Sequence, residues 1–313
     1  MTVLQPADLN APPVRGSKDQ IRWTSKSILL QHLLQTHERA IFFDPDVYIC
    51  NDYGFLFEQL KETGILLVVD NTFTTPRGFR PFDHGADIVI HSITKLLAGH
   101  SDVMLGYVAA RDADLAERLR VFSVTTGLTP SPFDCWLAER GMLTFDLRFE
   151  RAQQTARDLA DHLAGLNGIK RVIYPTRADH PDRDRAQALL NGQGCNMVSF
   201  ELNGGRASAN AFTRAADGLS FAPTLGDVGT TLSHPASSSH RVMSPAERAE
   251  NGLNEGFFRV SVGLEDPDQL KSIFKKKDYF VIRCLENTLV TIPFMVYLIY
   301  EKSILLSFGI LPM

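Results

Sequence analysis

Cysteine is scarce in this sequence, positive charge is not in excess, and no glycine-rich phosphate loop follows a predicted strand. The four cysteines, Cys50, Cys135, Cys195 and Cys284, are far apart in a chain of 313 residues. A Cys-x-x-Cys metal motif is therefore absent, and a disulfide framework would be unusual at this size. The formal net charge of −4 offers no basic surface for nucleic acid. The missing glycine-rich loop disfavours a simple nucleotide-binding domain.

Long apolar runs and targeting patterns are also missing. Two apolar runs near the C-terminus, residues 292–300 and 304–313, each provide about half of the ~20 residues that a spanning helix needs. A membrane anchor is therefore disfavoured. The N-terminal residues lack the charged and then apolar pattern of a signal peptide. We expect a cytoplasmic protein with no nucleic-acid partner, no membrane partner and no metal.

Short apolar runs alternate with helical patterns through most of the chain. The run at residues 65–71 ends in a polar pair, which is typical of a buried parallel strand. Two more strands are predicted at residues 86–92 and 104–110. Near Phe149 the pattern changes to a long amphipathic helix followed by strands of alternating hydrophobicity. This alternation of strands and helices predicts an α/β fold.

The same patterns divide the chain into three parts. Residues 1–148 are predicted to form a large parallel-sheet domain, with residues 1–60 atypical in sequence. Residues 149–270 predict a smaller C-terminal α/β domain. Residues 271–313 form an atypical apolar tail, where the pattern of the preceding domain ends.

Candidate chemistry is concentrated at the ends of two predicted strands. In an extended segment, Ser92 and Thr94 would project on one side and could donate hydrogen bonds to phosphate oxygens, while Lys95 could attach an aldehyde cofactor. Alternatively, the hydroxyls belong to an ordinary turn and the lysine is solvated. Asp70 ends an apolar strand, where its carboxylate could pair with a protonated ring nitrogen. The alternative for Asp70 is a helix cap.

Both features lie in one segment, VVDNTFTTPRGFRPFDHGADIVIHSITKLLAGHSDVMLG, at residues 68–106. It resembles the lysine region of the Cys/Met-metabolism pyridoxal-phosphate enzymes, which include cystathionine γ-synthase, cystathionine γ-lyase, methionine γ-lyase and the O-acylhomoserine sulfhydrylases. The resemblance implies a fold-type I pyridoxal-phosphate transferase-like fold with pyridoxal 5'-phosphate as the cofactor. It implies that residues 1–148 form an incomplete large parallel-sheet domain that binds this cofactor. It further implies that Lys95 carries the cofactor, Asp70 pairs with its pyridine nitrogen, and Ser92 and Thr94 bind its phosphate.

Two later segments resemble the same family. GFFRVSVGLED contains Arg259, which the resemblance implies binds the α-carboxylate of the substrate, a role suited to the bidentate guanidinium. APTLGDVGTTLSHPASSSH resembles the lining of the substrate pocket, with Thr224 at a position where relatives usually have a serine. His234 and His240 are acid–base candidates in this segment, although a role in shaping the loop is the favoured interpretation.

The resemblance covers roughly residues 60–270, and the family's N-terminal phosphate-binding and ring-stacking motifs are not found. We therefore expect an N-terminally truncated relative. The leading hypothesis is an enzyme that acts on cystathionine, methionine or an O-acylhomoserine by γ-elimination or γ-replacement. The alternative is a catalytically impaired or dead relative that folds partly or pairs with an intact subunit. By resemblance, the partners are a small amino-acid substrate and further copies in a homo-oligomer.

Overall fold

The computed structural model describes residues 66–275, together with the backbone of residues 2–4 and 40–43. Two compact units contain these residues. The first takes its described residues from 1–154, 178–196 and 225–228, and the second from 155–177, 197–224 and 229–275. The predicted apolar tail therefore lies outside the described residues beyond position 275, as do most of residues 1–60.

A five-stranded mixed sheet organises the first unit, in the order β1-β2-β3-β4-β5. Strands β2, β3 and β4 are parallel, whereas β1 and β5 run antiparallel to their neighbours. The strands are β1 (Thr2–Leu4), β2 (Ala40–Phe43), β3 (Leu66–Asp70), β4 (Ile88–Ser92) and β5 (Gly106–Ala110). The predicted parallel strands therefore lie in the middle of a mixed sheet. The antiparallel direction of β5 is possible because no crossover helix separates it from β4.

The two central strands owe their position to apolar side chains. Val68 and Ile88 are fully buried and contact Leu115 in one apolar cluster. Asp87, immediately before β4, accepts a 2.7 Å hydrogen bond from the backbone N–H of Leu67 and so fastens the start of one strand to the other. The carboxyl ends of β3 and β4 consequently reach the same edge of the sheet, where open α/β sheets place ligands.

Eight helices occur in the described residues, besides short 3-10 turns at Pro81–His84 and Pro235–Ser237. Several begin at a residue whose side chain accepts a hydrogen bond from the first turn, as Asp112 and Ser131 do. The helices are α1 (Thr75–Gly78), α2 (Ala113–Thr125), α3 (Pro132–Met142), α4 (Phe145–Ala164), α5 (Arg183–Leu189), α6 (Gly205–Ala215), α7 (Pro245–Glu250) and α8 (Pro267–Phe274).

The second unit contains another five-stranded sheet, in the order β6-β7-β10-β9-β8. Its pairs are antiparallel except for β8 and β9. The strands are β6 (Ile169–Ile173), β7 (Met197–Leu202), β8 (Ser220–Phe221), β9 (Thr231–Ser233) and β10 (Phe257–Ser261). The strands of alternating hydrophobicity that the sequence predicts after the long helix are thus present in β7 and β10.

Four phenylalanine rings form the centre of this second unit. The rings of Phe200 and Phe258 stack at 5.4 Å between centroids, and Phe212 meets Phe200 edge-on at 5.6 Å. Phe274, at the end of α8, completes the group with an edge contact of 6.0 Å to Phe200. All four side chains are at most 2% exposed, so they hold the helices against the sheet through apolar burial and ring contacts.

Within residues 66–275, no helix is both long enough and apolar enough to cross a membrane.

Candidate functional site

Asp70 ends β3 and places a buried carboxylate at the ligand-binding edge of the first sheet. Its side chain is only 9% exposed. Oδ1 accepts hydrogen bonds from the backbone N–H of Thr72 at 3.1 Å and from the Thr72 hydroxyl at 2.6 Å. These two donors fix the carboxylate and offset part of the cost of removing it from water. The contacts with Thr72 are those of a local turn, and a cap on α1 is not among them.

Thr72 connects Asp70 to the second predicted site residue in this unit. Its hydroxyl oxygen also accepts a 2.8 Å hydrogen bond from the backbone N–H of Ser92, which ends the neighbouring strand β4. One hydroxyl thus bridges the two strand ends that carry Asp70 and Ser92. No sequence pattern distinguishes Thr72, because a threonine two residues after an aspartate is ordinary in a turn.

The segment that follows Ser92 turns immediately rather than staying extended. The backbone N–H of Lys95 donates to the Ser92 carbonyl at 3.1 Å, and that of Gly99 donates to the Lys95 carbonyl at 2.8 Å. The prediction that Ser92 and Thr94 alternate along one extended segment is therefore wrong. These turn hydrogen bonds replace the strand ladder after Ser92.

Thr94 has a backbone partner of its own. Its hydroxyl oxygen accepts a 3.0 Å hydrogen bond from the N–H of Leu105 and lies 3.2 Å from the Leu105 carbonyl, to which it can donate. To bind a phosphate, this hydroxyl must redirect its hydrogen, which it can do while it still accepts from Leu105. Lys95 is partly buried in the turn that follows.

His91 adds a buried imidazole close to this group. It is 5% exposed, its ring lies 6.3 Å from that of Tyr107, and its Nδ1 has no hydrogen-bond partner. Burial lowers the pKa of His91, and the negative charge of Asp70 opposes that shift. Burial therefore disfavours the charged form of the His91 imidazole.

Arg259 and Thr224 lie in the second unit. Arg259 is in the middle of β10, paired with Ser199 of β7 on one side and Ser233 of β9 on the other, and is partly buried. The Thr224 carbonyl accepts a 3.4 Å hydrogen bond from the Thr231 hydroxyl at the start of β9. Their predicted contacts with a substrate carboxylate stay predictions.

His234 and His240 occupy the loop after β9. His234 is buried, with Nε2 2.9 Å from the Glu255 carbonyl and Nδ1 2.8 Å from the Ser237 hydroxyl. Burial is the main reason that the pKa of His234 is lowered. Both of its ring nitrogens are therefore occupied by contacts within the loop, which favours the loop-shaping role. His240 accepts or donates one hydrogen bond to Ser239 at 2.8 Å.

The residues of the first unit suit pyridoxal phosphate. A buried, hydrogen-bonded carboxylate on β3 can pair with a protonated pyridine nitrogen, and a hydroxyl and a lysine follow on the adjacent parallel strand end. Asp70, Ser92, Thr94 and Lys95 would hold the group. Nδ1 of His91 is buried without a hydrogen-bond partner among the described residues, so this edge of the sheet can form a further hydrogen bond.

Two relatives of known name are similar to this chain. Cystathionine beta-lyase of Bacillus subtilis is 41% identical over 228 residues, which are 72% of this chain and 57% of that protein. O-succinylhomoserine sulfhydrylase of Pseudomonas aeruginosa is 41% identical over 221 residues, which are 71% of this chain and 54% of that protein. The chain thus spans little more than half the length of these curated relatives.

Two solved structures are also similar to this chain. A cystathionine gamma synthase from Xanthomonas oryzae superimposes with a TM-score of 0.71 at 37% identity, covering 80% of this chain and 65% of that one. Yeast cystathionine gamma-lyase gives a TM-score of 0.72 at 33% identity, covering 80% of this chain and 67% of that one. The fold-type I prediction is therefore confirmed.

Residues 31–277 match the family described as Cys/Met metabolism PLP-dependent enzyme, where PLP is pyridoxal phosphate. That match includes Asp70, Ser92, Thr94 and Lys95 and covers well over half of the sequence. It confirms the resemblance found in the sequence, with pyridoxal phosphate as the cofactor. The chain belongs to the Cys/Met metabolism PLP-dependent enzyme family.

Proposed function

We propose that this chain is a pyridoxal-phosphate-dependent enzyme that acts on cystathionine, methionine or an O-acylhomoserine by γ-elimination or γ-replacement. The observation that supports it best is the Asp70–Thr72–Ser92 bridge, which brings a buried carboxylate and a phosphate-binding candidate to one sheet edge. The names of the relatives include cystathionine lyases and synthases, a methionine lyase and an O-succinylhomoserine sulfhydrylase. These names support the proposed substrate class.

Asp70 is proposed to hold the pyridine nitrogen in its protonated form. When bound, pyridoxal phosphate supplies an electron sink that stabilises negative charge on the substrate carbon. An ionised carboxylate opposite the ring nitrogen favours the proton there, and the Thr72 hydroxyl keeps that carboxylate in place. The Ser92 hydroxyl would donate a hydrogen bond to the phosphate. The Thr94 hydroxyl would do the same after it turns its hydrogen away from the Leu105 carbonyl.

Lys95 is proposed to anchor the cofactor and to serve as the base. Its Nζ would be released when the substrate amine takes its place, and the same atom would then accept the α-proton of the substrate. In γ-chemistry Nζ would also move a β-proton, which prepares the loss of a sulfur or acyl-oxygen group at Cγ. Arg259 is proposed to bind the substrate α-carboxylate through its guanidinium, with Thr224 beside that carboxylate.

A second candidate is a catalytically impaired relative that folds partly or pairs with an intact subunit. In this case the site residues would be present, but cofactor affinity or turnover would depend on a second polypeptide.

Cofactor capture tests the proposal directly. The purified full chain is mixed with pyridoxal phosphate, reduced with borohydride and digested, and the peptide that carries the cofactor is identified by mass spectrometry. We expect a visible absorbance band and a reduced adduct on Lys95, both absent in Lys95→Ala. Turnover is then screened with cystathionine, methionine and O-succinylhomoserine.

The two candidates give different results in that experiment. Capture on Lys95 followed by turnover supports the active enzyme. Capture without turnover, or capture only after an intact relative is added, supports the impaired relative. Both candidates assign Lys95 as the cofactor lysine. An adduct that is spread over surface lysines, and equally abundant in Lys95→Ala, would contradict that assignment.

A further inference from the structure

The turn that carries Lys95 is held by a buried arginine from α4. We call residues 95–99 the lysine turn; it is closed by the hydrogen bond from the Gly99 N–H to the Lys95 carbonyl at 2.8 Å. That bond leaves the carbonyls of Leu96 and Leu97 available to partners outside the turn. Both accept hydrogen bonds from Arg148, at 2.9 Å from Nη1 and 2.9 Å from Nη2.

Arg148 uses four hydrogen bonds to do this. Nη2 also donates to the Gly141 carbonyl at 2.8 Å, and Nε donates to the Thr144 hydroxyl at 3.0 Å. The guanidinium thus joins the lysine turn to the end of α3 and the start of α4. The residue is only 8% exposed, and burial lowers the pKa of Arg148. A charged group in such a place is costly, so its neutral partners must all be well placed.

Close backbone packing surrounds the lysine turn on further sides. A Cβ at Gly141 would lie 2.5 Å from the Ala98 carbonyl oxygen, and a Cβ at Gly226 would lie 2.5 Å from the Leu96 nitrogen. A Cβ at Gly99 would collide with Nη1 of Arg148. The Gly99 carbonyl accepts a 2.9 Å hydrogen bond from the Val228 N–H. The turn therefore has little freedom to move while Arg148 is in place.

We propose that Arg148 is a positioning residue for Lys95: it binds the two carbonyls that follow Lys95 and so fixes where the lysine side chain leaves the backbone. This inference rests on the proposed function for its purpose, because a cofactor lysine needs one fixed direction to serve as both anchor and base. Lysine cannot replace the arginine, since a single ammonium group cannot reach acceptors on three separate segments at once.

The experiment compares the full chain with Arg148→Lys, Arg148→Met and a control, Arg177→Lys. Arg177 belongs to the second unit, where its guanidinium binds the Ala160 carbonyl at 3.2 Å and the Asp161 carboxylate at 2.6 Å. Thermal unfolding shows which variants fold. Amide hydrogen exchange, measured without cofactor, reports on the peptide that contains the lysine turn. Acetic anhydride labelling, also without cofactor, reports the reactivity of the Lys95 amine against the other lysines.

For both Arg148 variants, we expect amide exchange in the lysine turn to become about tenfold faster or more, the scale of losing buried hydrogen bonds. The labelling rate of Lys95 should change as well, because the turn that carries its side chain is no longer held. The control should change neither. Arg148→Lys should remain folded. The result then rests on this variant even if Arg148→Met fails to fold. Unchanged exchange and unchanged Lys95 labelling in folded Arg148→Lys would overturn the proposal.

Cofactor capture then separates this inference from the proposed function. If wild type captures pyridoxal phosphate on Lys95, Arg148→Lys should capture it about tenfold more slowly. Equal capture rates would overturn the positioning role. If wild type captures none, the proposed function fails, and the two measurements without cofactor still decide whether Arg148 fixes Lys95.

Discussion

The hydroxyl of Thr72 donates a 2.6 Å hydrogen bond to Oδ1 of Asp70 and accepts a 2.8 Å hydrogen bond from the backbone of Ser92. This single group therefore controls both the direction of the carboxylate and the spacing of two strand ends. The hydroxyl hydrogen is donated to Asp70, and the hydroxyl oxygen accepts from Ser92, so each contact has one defined direction. A side chain without a hydroxyl cannot replace either contact.

We expect Thr72→Val to lose both contacts at once. The variant leaves the Ser92 N–H and a buried carboxylate short of one partner each, which should lower the free energy of unfolding by about 1–3 kcal/mol. Affinity for pyridoxal phosphate should fall as well, because Asp70 is no longer held. Urea unfolding and cofactor titration measure the two effects. Thr72→Ser keeps the hydroxyl and should restore most of both; equal defects in the two variants would contradict the role of the hydroxyl.

The sequence predicts the strands of the first sheet better than it predicts their connections. β3 and β4 were recognisable because their apolar runs are short and bounded by polar residues, and burial of Val68 and Ile88 explains those runs. The direction of β5 was not readable, since its residues Gly106–Ala110 have the same pattern in either direction. Direction depends on the path of residues 93–105, which forms turns instead of a crossover helix.

In the candidate site, too, local patterns predict some residues and miss those that act through distant contacts. Asp70 could be selected because a charged residue at the end of an apolar strand needs a reason. Lys95 could be selected because it follows two hydroxyl residues in a segment that resembles the family. Arg148 could not, because an arginine near the start of an amphipathic helix normally faces solvent. Its partner Leu96 is 52 positions away along the chain, and only the fold brings the two together. Contacts with distant backbone carbonyls leave no mark in a sequence pattern.

Gly226 should tolerate no side chain. Its φ of +82° is in the left-handed region, and an added Cβ would meet the Leu96 nitrogen at 2.5 Å. Gly127 is the matched control, with a φ of +75° and nothing within 4 Å of an added Cβ. Gly127→Ala should lose about 1–2 kcal/mol from backbone strain alone. Gly226→Ala should lose more in urea unfolding and should also weaken cofactor capture; equal losses would show that the lysine turn moves aside easily.

Cys195 should be chemically inert in the folded protein. Burial raises the pKa of its thiol to about 12, whereas Cys135 is exposed. Since the thiolate is the reactive form, iodoacetamide at neutral pH should label Cys135 and spare Cys195 until urea unfolds the chain. Mass spectrometry of tryptic peptides distinguishes the two. Labelling of both cysteines at similar rates without urea would mean that the region around Cys195 opens readily.

Glu255 should make the second unit sensitive to acid. Its hydrogen bond from Arg248, 2.5 Å long, is the main reason that the pKa of Glu255 lies below its ordinary value of 4.5. A carboxyl group with a lower pKa in the folded than in the unfolded state contributes stability above pH 4.5, and that contribution is lost as the pH falls through the folded value. Glu255→Gln should therefore be less stable than wild type at neutral pH.

The difference between the two proteins should shrink steadily as the pH falls below 4.5, because wild type then loses the same charge. Urea unfolding between about pH 3 and pH 7, monitored by circular dichroism, gives both curves. Glu250→Gln removes an exposed glutamate from α7 as the matched control and should run parallel to wild type. A Glu255→Gln curve that also stays parallel to wild type across this range would show that the ion pairs of Glu255 with Arg248 and Arg206 do not stabilise the fold.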